Sequence, residues 1–187
     1  MKVWFSHGKE SGPWGSKIQR LANTARARGC DVDSVDYRDL SDPDQRVERL
    51  TGIIAAEPTP CLLVGSSMGG YVSLAASQQV TVAGVFLLAP ALYLPGYRIQ
   101  HFEPPRAVLE IVHGWSDEVI QPENVIRFAR QWSSTLHLID GDHRLNAALD
   151  TVVLLFEQFL GKVLENQAAR ADACSVNDPR LTQRESS

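Results

Sequence analysis

A chain of 187 residues, 44% hydrophobic and 21% charged, can fill one core and is too short for two ordinary domains. No apolar run approaches the roughly 20 residues that span a bilayer, and a net charge of −4 with 18 scattered basic residues excludes the basic footprint of a nucleic-acid binder. Cys30, Cys61 and Cys174 are odd in number and lack CxxC spacing, which excludes a disulfide framework and a cysteine-rich metal site and leaves them as free thiols.

Met1 to His7 includes a basic residue but no apolar region of signal-peptide length, so a cytoplasmic location is expected. Residues 2–6 are the first of six short apolar, often β-branched runs; the others are 31–36, 61–65, 83–88, 108–113 and 135–139. A helix is predicted over 13–28, where Trp14, Ile18, Leu21, Ala22 and Ala25 share a face, Pro13 suits the first turn and Gly29 can supply a left-handed stop. Asp42-Pro43 opens a second helix with Val47, Leu50 and Ile54 inward, and a third begins at Met68. Gln121-Pro122 opens a fourth carrying Val125, Ile126, Ala129 and Trp132, and a last one over 146–164 stripes Leu149, Val152, Phe156, Leu160 and Val163. This alternation predicts an α/β fold: a doubly wound, mainly parallel six-stranded sheet with helices on both faces, built by residues 1–164. Residues 165–187 are polar and read as a helix extension fading into a flexible tail. Sheets of this kind carry their sites at the carboxyl ends of the strands.

The motif at that position is Gly65-Ser66-Ser67-Met68-Gly69, which follows the apolar run Cys61-Leu62-Leu63-Val64 and opens the third helix. Strand, GxSxG and helix in that order describe a nucleophile elbow, with Ser67 exposed on a sharp turn. A serine hydroxyl is weak at neutral pH and needs a base, normally a histidine oriented by a carboxylate. Five histidines compete: His7 lies after the first strand, His101 in an irregular segment, His113 closes a strand and His137 sits within one. His143, in the short loop Gly141-Asp142-His143-Arg144 after the last strand, projects over the same edge as Ser67. Asp117, in Gly114-Trp115-Ser116-Asp117, follows the penultimate strand and is the favoured acid; Glu118, Asp140 and Asp142 are its rivals. Asp140 and Asp142 lie too near His143 in sequence for a separate-loop geometry and equally suit surface turns.

The chain resembles an α/β-hydrolase over residues 1 to about 164, specifically a small cap-less serine esterase or thioesterase. The motifs that carry the likeness are Ser6-His7-Gly8-Lys9, Gly65-Ser66-Ser67-Met68-Gly69, Gly114-Trp115-Ser116-Asp117 and Gly141-Asp142-His143, in an order of nucleophile, acid and base. The resemblance implies a (thio)ester hydrolase with a Ser67–His143–Asp117 triad acting through an acyl-enzyme. It also implies an oxyanion hole from the backbone N–H groups of Lys9 and Met68, with His7 and Gly8 shaping the turn that presents Lys9. Two departures stand out: the family's leading hairpin is absent, and the connection over 89–106 is too short for a lid domain, which implies an open site. Leu92, Tyr93, Leu94, Tyr97 and Phe102 in that connection could line an acyl or aromatic pocket or cover the sheet edge, and Trp14 and Trp115 are equally two-sided.

Neither GxxxxGK[ST] nor GxGxxG fits the glycine-bearing turns, so no nucleotide is expected, and no other cofactor or metal is. The expected partner is a small acyl ester or thioester, with no nucleic acid and no membrane. An amidase, a peptidase or a carbon–carbon bond hydrolase would use the same three residues, and a binding module could retain the scaffold without turnover.

Overall fold

In a computed structural model that describes residues 1–103 and 106–176, the six apolar runs form one parallel sheet. Its strands are β1 (Lys2–Ser6), β2 (Asp31–Val35), β3 (Leu62–Ser66), β4 (Gly84–Leu88), β5 (Val108–Gly114) and β6 (Thr135–Ile139). They lie in the order β2-β1-β3-β4-β5-β6, every neighbouring pair parallel. The direction of winding reverses between β1 and β3, and a reversal of this kind opens a crevice beyond the strand ends where ligands bind in such sheets. Ser67 follows β3 and His7-Gly8-Lys9 follow β1, so both flank that crevice.

The helices are α1 (Ser16–Ala27), α2 (Pro43–Ala55), α3 (Met68–Ser77), α4 (Pro122–Trp132) and α5 (Leu149–Val176). Strand side chains alternate between two cores. Val3, Phe5, Leu62, Val64, Phe86 and Val112 pack against α1 and α5, whereas Leu63, Val85, Leu87 and Ile111 pack against α2, α3 and α4. At about 25 cal/mol per Å² of apolar surface removed from water, these two layers are the main source of stability. The start of α2 follows from its sequence: the Asp42 carboxylate accepts from the Asp44 N–H at 2.8 Å, and Pro43 occupies the first turn, where no N–H is needed.

Two helix starts differ from expectation. The Ser34 hydroxyl donates to the Pro13 carbonyl and Gln19 Nε2 to the Trp14 carbonyl, which holds that stretch as a turn and starts α1 at Ser16. Leu145 has φ +55° and buries its side chain, so α5 begins at Leu149 rather than at 146. At its other end α5 runs through position 164 to Val176, since Glu165, Gln167, Ala168 and Ala169 are all good helix formers. Of the extension and tail expected over 165–187, residues 177–187 lie outside the described residues, as does the Cys174 side chain. Among those described, no helix is long and apolar enough to cross a membrane. Residues 89–103 contain no helix or strand, so no cap domain arises there.

Candidate active site

Ser67 has φ 55° and ψ −120°, a conformation hostile to a residue with a Cβ. It is over-determined by its surroundings: its N–H donates to the Leu88 carbonyl at 2.9 Å, and its own carbonyl accepts from Gly70 at 2.9 Å and Ala91 at 3.0 Å. Gly69 shows why the turn can be this tight. A Cβ there would run into the Ser6 carbonyl at the end of β1, so only glycine lets α3 pass so close. Ser67 remains half-buried, with its hydroxyl at the strand end.

The Ser67 hydroxyl meets His143 Nε2 at 3.0 Å, and His143 Nδ1 meets Asp117 Oδ2 at 2.8 Å. A carboxylate accepts, so the imidazole carries its proton on Nδ1 and leaves Nε2 to accept from serine. Three residues from three loops thus form one hydrogen-bonded series over 76 positions of chain. Asp117 is 3% exposed, and both its oxygens are occupied. Oδ1 accepts from the N–H groups of Val119 (2.9 Å) and Ile120 (2.8 Å), while Oδ2 also receives His113 Nε2 at 3.2 Å. His113 Nε2 lies 2.9 Å from the Ile120 carbonyl as well, which fixes its proton on that nitrogen. Burial holds the His113 pKa below its ordinary value and keeps the ring neutral. Gly114 lets the acid and base loops touch, because a Cβ there would strike the Gly141 carbonyl.

Of the rival acids, Asp142 accepts from the Arg144 and Leu145 N–H groups at 3.0 and 2.9 Å, a turn-forming role, and Glu118 and Asp140 are exposed. The base loop is tied down from α1, where Lys17 Nζ donates to the Arg144 carbonyl at 2.7 Å. Burial pushes Lys17 down to about 8, against the upward pull of Asp142 and Asp117.

The loop after β1 lies directly against the elbow: a Cβ on Gly8 would sit 3.5 Å from that of Ser67. His7 is fully buried, with Nε2 accepting from the Tyr37 N–H at 3.0 Å and Nδ1 donating to the Gly8 carbonyl at 2.7 Å. Its pKa is lowered, chiefly by burial, so it too is neutral. Among the described residues no peptide bond is cis; a trans unit whose carbonyl turns toward His7 therefore turns the Lys9 N–H the other way. Met68 opens α3, where the N–H has no intrahelical acceptor.

The residues weighed for substrate contact differ in setting. Leu92 is buried in the core beside α4, and Tyr93 and Tyr97 are half-buried, edge-on to Phe102 and Tyr71 at 5.6 and 4.7 Å. Asp44 clips their segment down, accepting from the Tyr71 hydroxyl at 2.7 Å and the Arg98 N–H at 3.2 Å. Trp115 is the most open of them, 58% exposed on the loop after β5. His113 and Arg46 escaped the sequence reading as site neighbours. His113 carried a legible signal, lying four positions before Asp117 across a turn, and Arg46 another, a cation on the buried stripe of α2.

The sequence matches the Alpha/beta hydrolase family over residues 4–181. A comparison with curated proteins finds no match. Among solved structures, a protein assigned to the alpha/beta hydrolase superfamily from Xanthomonas campestris pv. campestris is 32% identical with a TM-score of 0.80, over 86% of this chain and 98% of that one. Est1E from Butyrivibrio proteoclasticus is 17% identical with a TM-score of 0.75, over 88% of each chain. The type II thioesterase BorB from the borrelidin biosynthetic cluster is 15% identical with a TM-score of 0.69, over 85% of this chain and 91% of that one. At 17% and 15% identity, the last two likenesses are of fold.

Proposed function

The chain belongs to the alpha/beta hydrolase family, and we propose that it is a serine hydrolase cleaving carboxylic esters or thioesters through an acyl-enzyme. The observation that carries this reading is the hydrogen-bonded series from Ser67 through His143 to Asp117, anchored on a serine held at positive φ. Ser67 Oγ attacks the acyl carbon as its proton passes to His143 Nε2, and Asp117 stabilises the imidazolium that forms. The tetrahedral oxyanion is met by the N–H groups of Lys9 and Met68, each such donor contributing about 2.7–4 kcal/mol. Collapse expels the alcohol or thiol, which takes the proton from His143. Water, deprotonated by the same imidazole, then attacks the acyl-enzyme and releases the acid and free Ser67.

Preference for esters and thioesters is supported by the thioesterase among the structural neighbours. Trp115, exposed on the acid loop two residues before Asp117, is the side chain we take to meet an acyl or leaving group. The buried thiols Cys30 and Cys61 fit a reducing, cytoplasmic setting. Fluorophosphonate labelling of wild type and Ser67→Ala, followed by p-nitrophenyl acyl esters graded by chain length and matched acyl thioesters, tests the reading. Labelling confined to Ser67 and loss of turnover by at least about 10⁴-fold in Ser67→Ala are expected. A folded wild type that neither labels nor turns over would point instead to a binding module.

A further inference from the structure

Arg46 occupies a position that helix patterning reserves for an apolar side chain. It stands four residues before Leu50 on the face of α2 that also buries Val47 and Ile54, and it is 2% exposed. Burying a guanidinium is costly unless its charge is answered. Among the described residues no carboxylate oxygen lies within ion-pair distance of it; Asp44 faces Tyr71 and Arg98, and Asp39 faces Arg49. Its partners are neutral: Nε donates to the Leu40 carbonyl at 2.7 Å, Nη1 donates to the Gly8 carbonyl at 3.3 Å, and the Tyr37 ring lies 5.2 Å from Cζ.

The Gly8 carbonyl is the telling partner, since the same peptide unit carries the Lys9 N–H. Three donors converge on that oxygen, His7 Nδ1–H at 2.7 Å, cationic Arg46 at 3.3 Å and, at the outer limit of a hydrogen bond, the Ser11 hydroxyl at 3.5 Å. Together they fix the plane of the peptide, and drawing electron density toward the oxygen makes the N–H across the unit a stronger donor. Resting on the hydrolase reading above, we propose that Arg46 is a positioning residue of the oxyanion loop, holding and polarising the Gly8–Lys9 peptide from beneath so that the Lys9 N–H is fixed before substrate arrives. His7 sets the direction of the carbonyl, and Arg46 supplies the charge. A cation held only by dipoles costs stability, which a merely structural tie between Leu40 and Gly8 would not need.

The test compares wild type, Arg46→Gln and Arg46→Lys for kcat, KM, melting temperature and inhibition by a trifluoromethyl ketone that forms a tetrahedral adduct on Ser67. Arg46→Gln is expected to lose about 10- to 100-fold in kcat with KM changed less than about threefold, and to bind the ketone more weakly by the same factor as kcat/KM falls. Arg46→Lys keeps the charge but cannot span both carbonyls, so it should recover part of the loss. Unchanged kcat with a lowered melting temperature overturns the assignment, as does a fall in kcat that leaves ketone affinity intact. Should Arg46→Gln fail to fold, full kcat in Arg46→Lys overturns it and a partial loss matched by weaker ketone binding supports it. Wild type without ester turnover or Ser67 labelling would overturn the hydrolase reading itself. Turnover in wild type with indifferent Arg46 variants overturns only this inference.

Discussion

Two buried carboxylates stand at opposite ends of the same strand and are answered differently. Glu110, at the third position of β5, meets Lys162 Nζ at 2.8 Å and His137 Nε2 at 3.0 Å. Asp117, three residues beyond the end of β5, meets two backbone N–H groups and two histidines, and no lysine or arginine within ion-pair distance among the described residues. Both are 3% exposed. A carboxylate already paired with an ammonium has little field left for another cation, whereas one held by neutral donors is pre-oriented to stabilise a positive charge arising nearby. On the proposed hydrolase reading, burial alone thus does not set the functional acid apart; the charge of its partners does.

Breaking the Asp117 end should have the largest effect. Asp117→Asn is expected to lower kcat for a p-nitrophenyl ester by about 10⁴-fold with a near-native circular dichroism spectrum, because the amide no longer holds the His143 tautomer. A loss of tenfold or less would remove Asp117 from the chemistry. Breaking the Glu110 end should instead cost stability: Glu110→Gln removes a partly exposed ion pair, so about 1–3 kcal/mol in denaturant unfolding is expected, with kcat within about twofold. A large drop in kcat there would erase the contrast between the two ends.

Acid sharpens the comparison. His113 beside Asp117 and His7 beneath the first loop are both held below the ordinary value of 6.5 by burial, so the unfolded chain takes up protons there that the folded chain refuses. Stability is therefore fully present above that value and falls as pH drops from 6.5 toward the lowered folded values. Melting temperatures at pH 7.5, 6.0 and 5.0 should decline in that order, and a flat series would show that neither ring is held neutral. The smallest effect is expected from Asp140→Asn and Asp142→Asn, each within about threefold in kcat. If either matched Asp117→Asn, the acid would have been misplaced.

Much of this was legible in the chain. All six strands fall within one residue or so of their expected runs; the inner strands, buried on both faces, write themselves as near-continuous hydrophobic stretches, while the edge strands β2 and β6 mix polar residues with Val and Leu. Ser67, Asp117 and His143 were legible as loop residues after three strands, since parallel winding delivers such loops to one edge. The connection over 89–106 was not, because an aromatic-rich segment reads alike whether it lines a cavity or covers a core; the Asp44–Tyr71 clip that seats it spans distant positions. Leu145 hid its left-handed backbone, as leucine gives no hint of positive φ. Arg46 broke the helical pattern in plain sight, and its meaning depended on a carbonyl 38 residues away.

The backbone of Ser67 has an evolutionary consequence. Its conformation costs of order 1–3 kcal/mol for a residue with a Cβ and almost nothing for glycine. Selection for heat tolerance alone would therefore drive position 67 to glycine and yield a sturdier, inert descendant. On the proposed reading of Ser67 as the nucleophile, serine is held there for turnover alone, and a library sorted by melting temperature without an activity gate should lose it early.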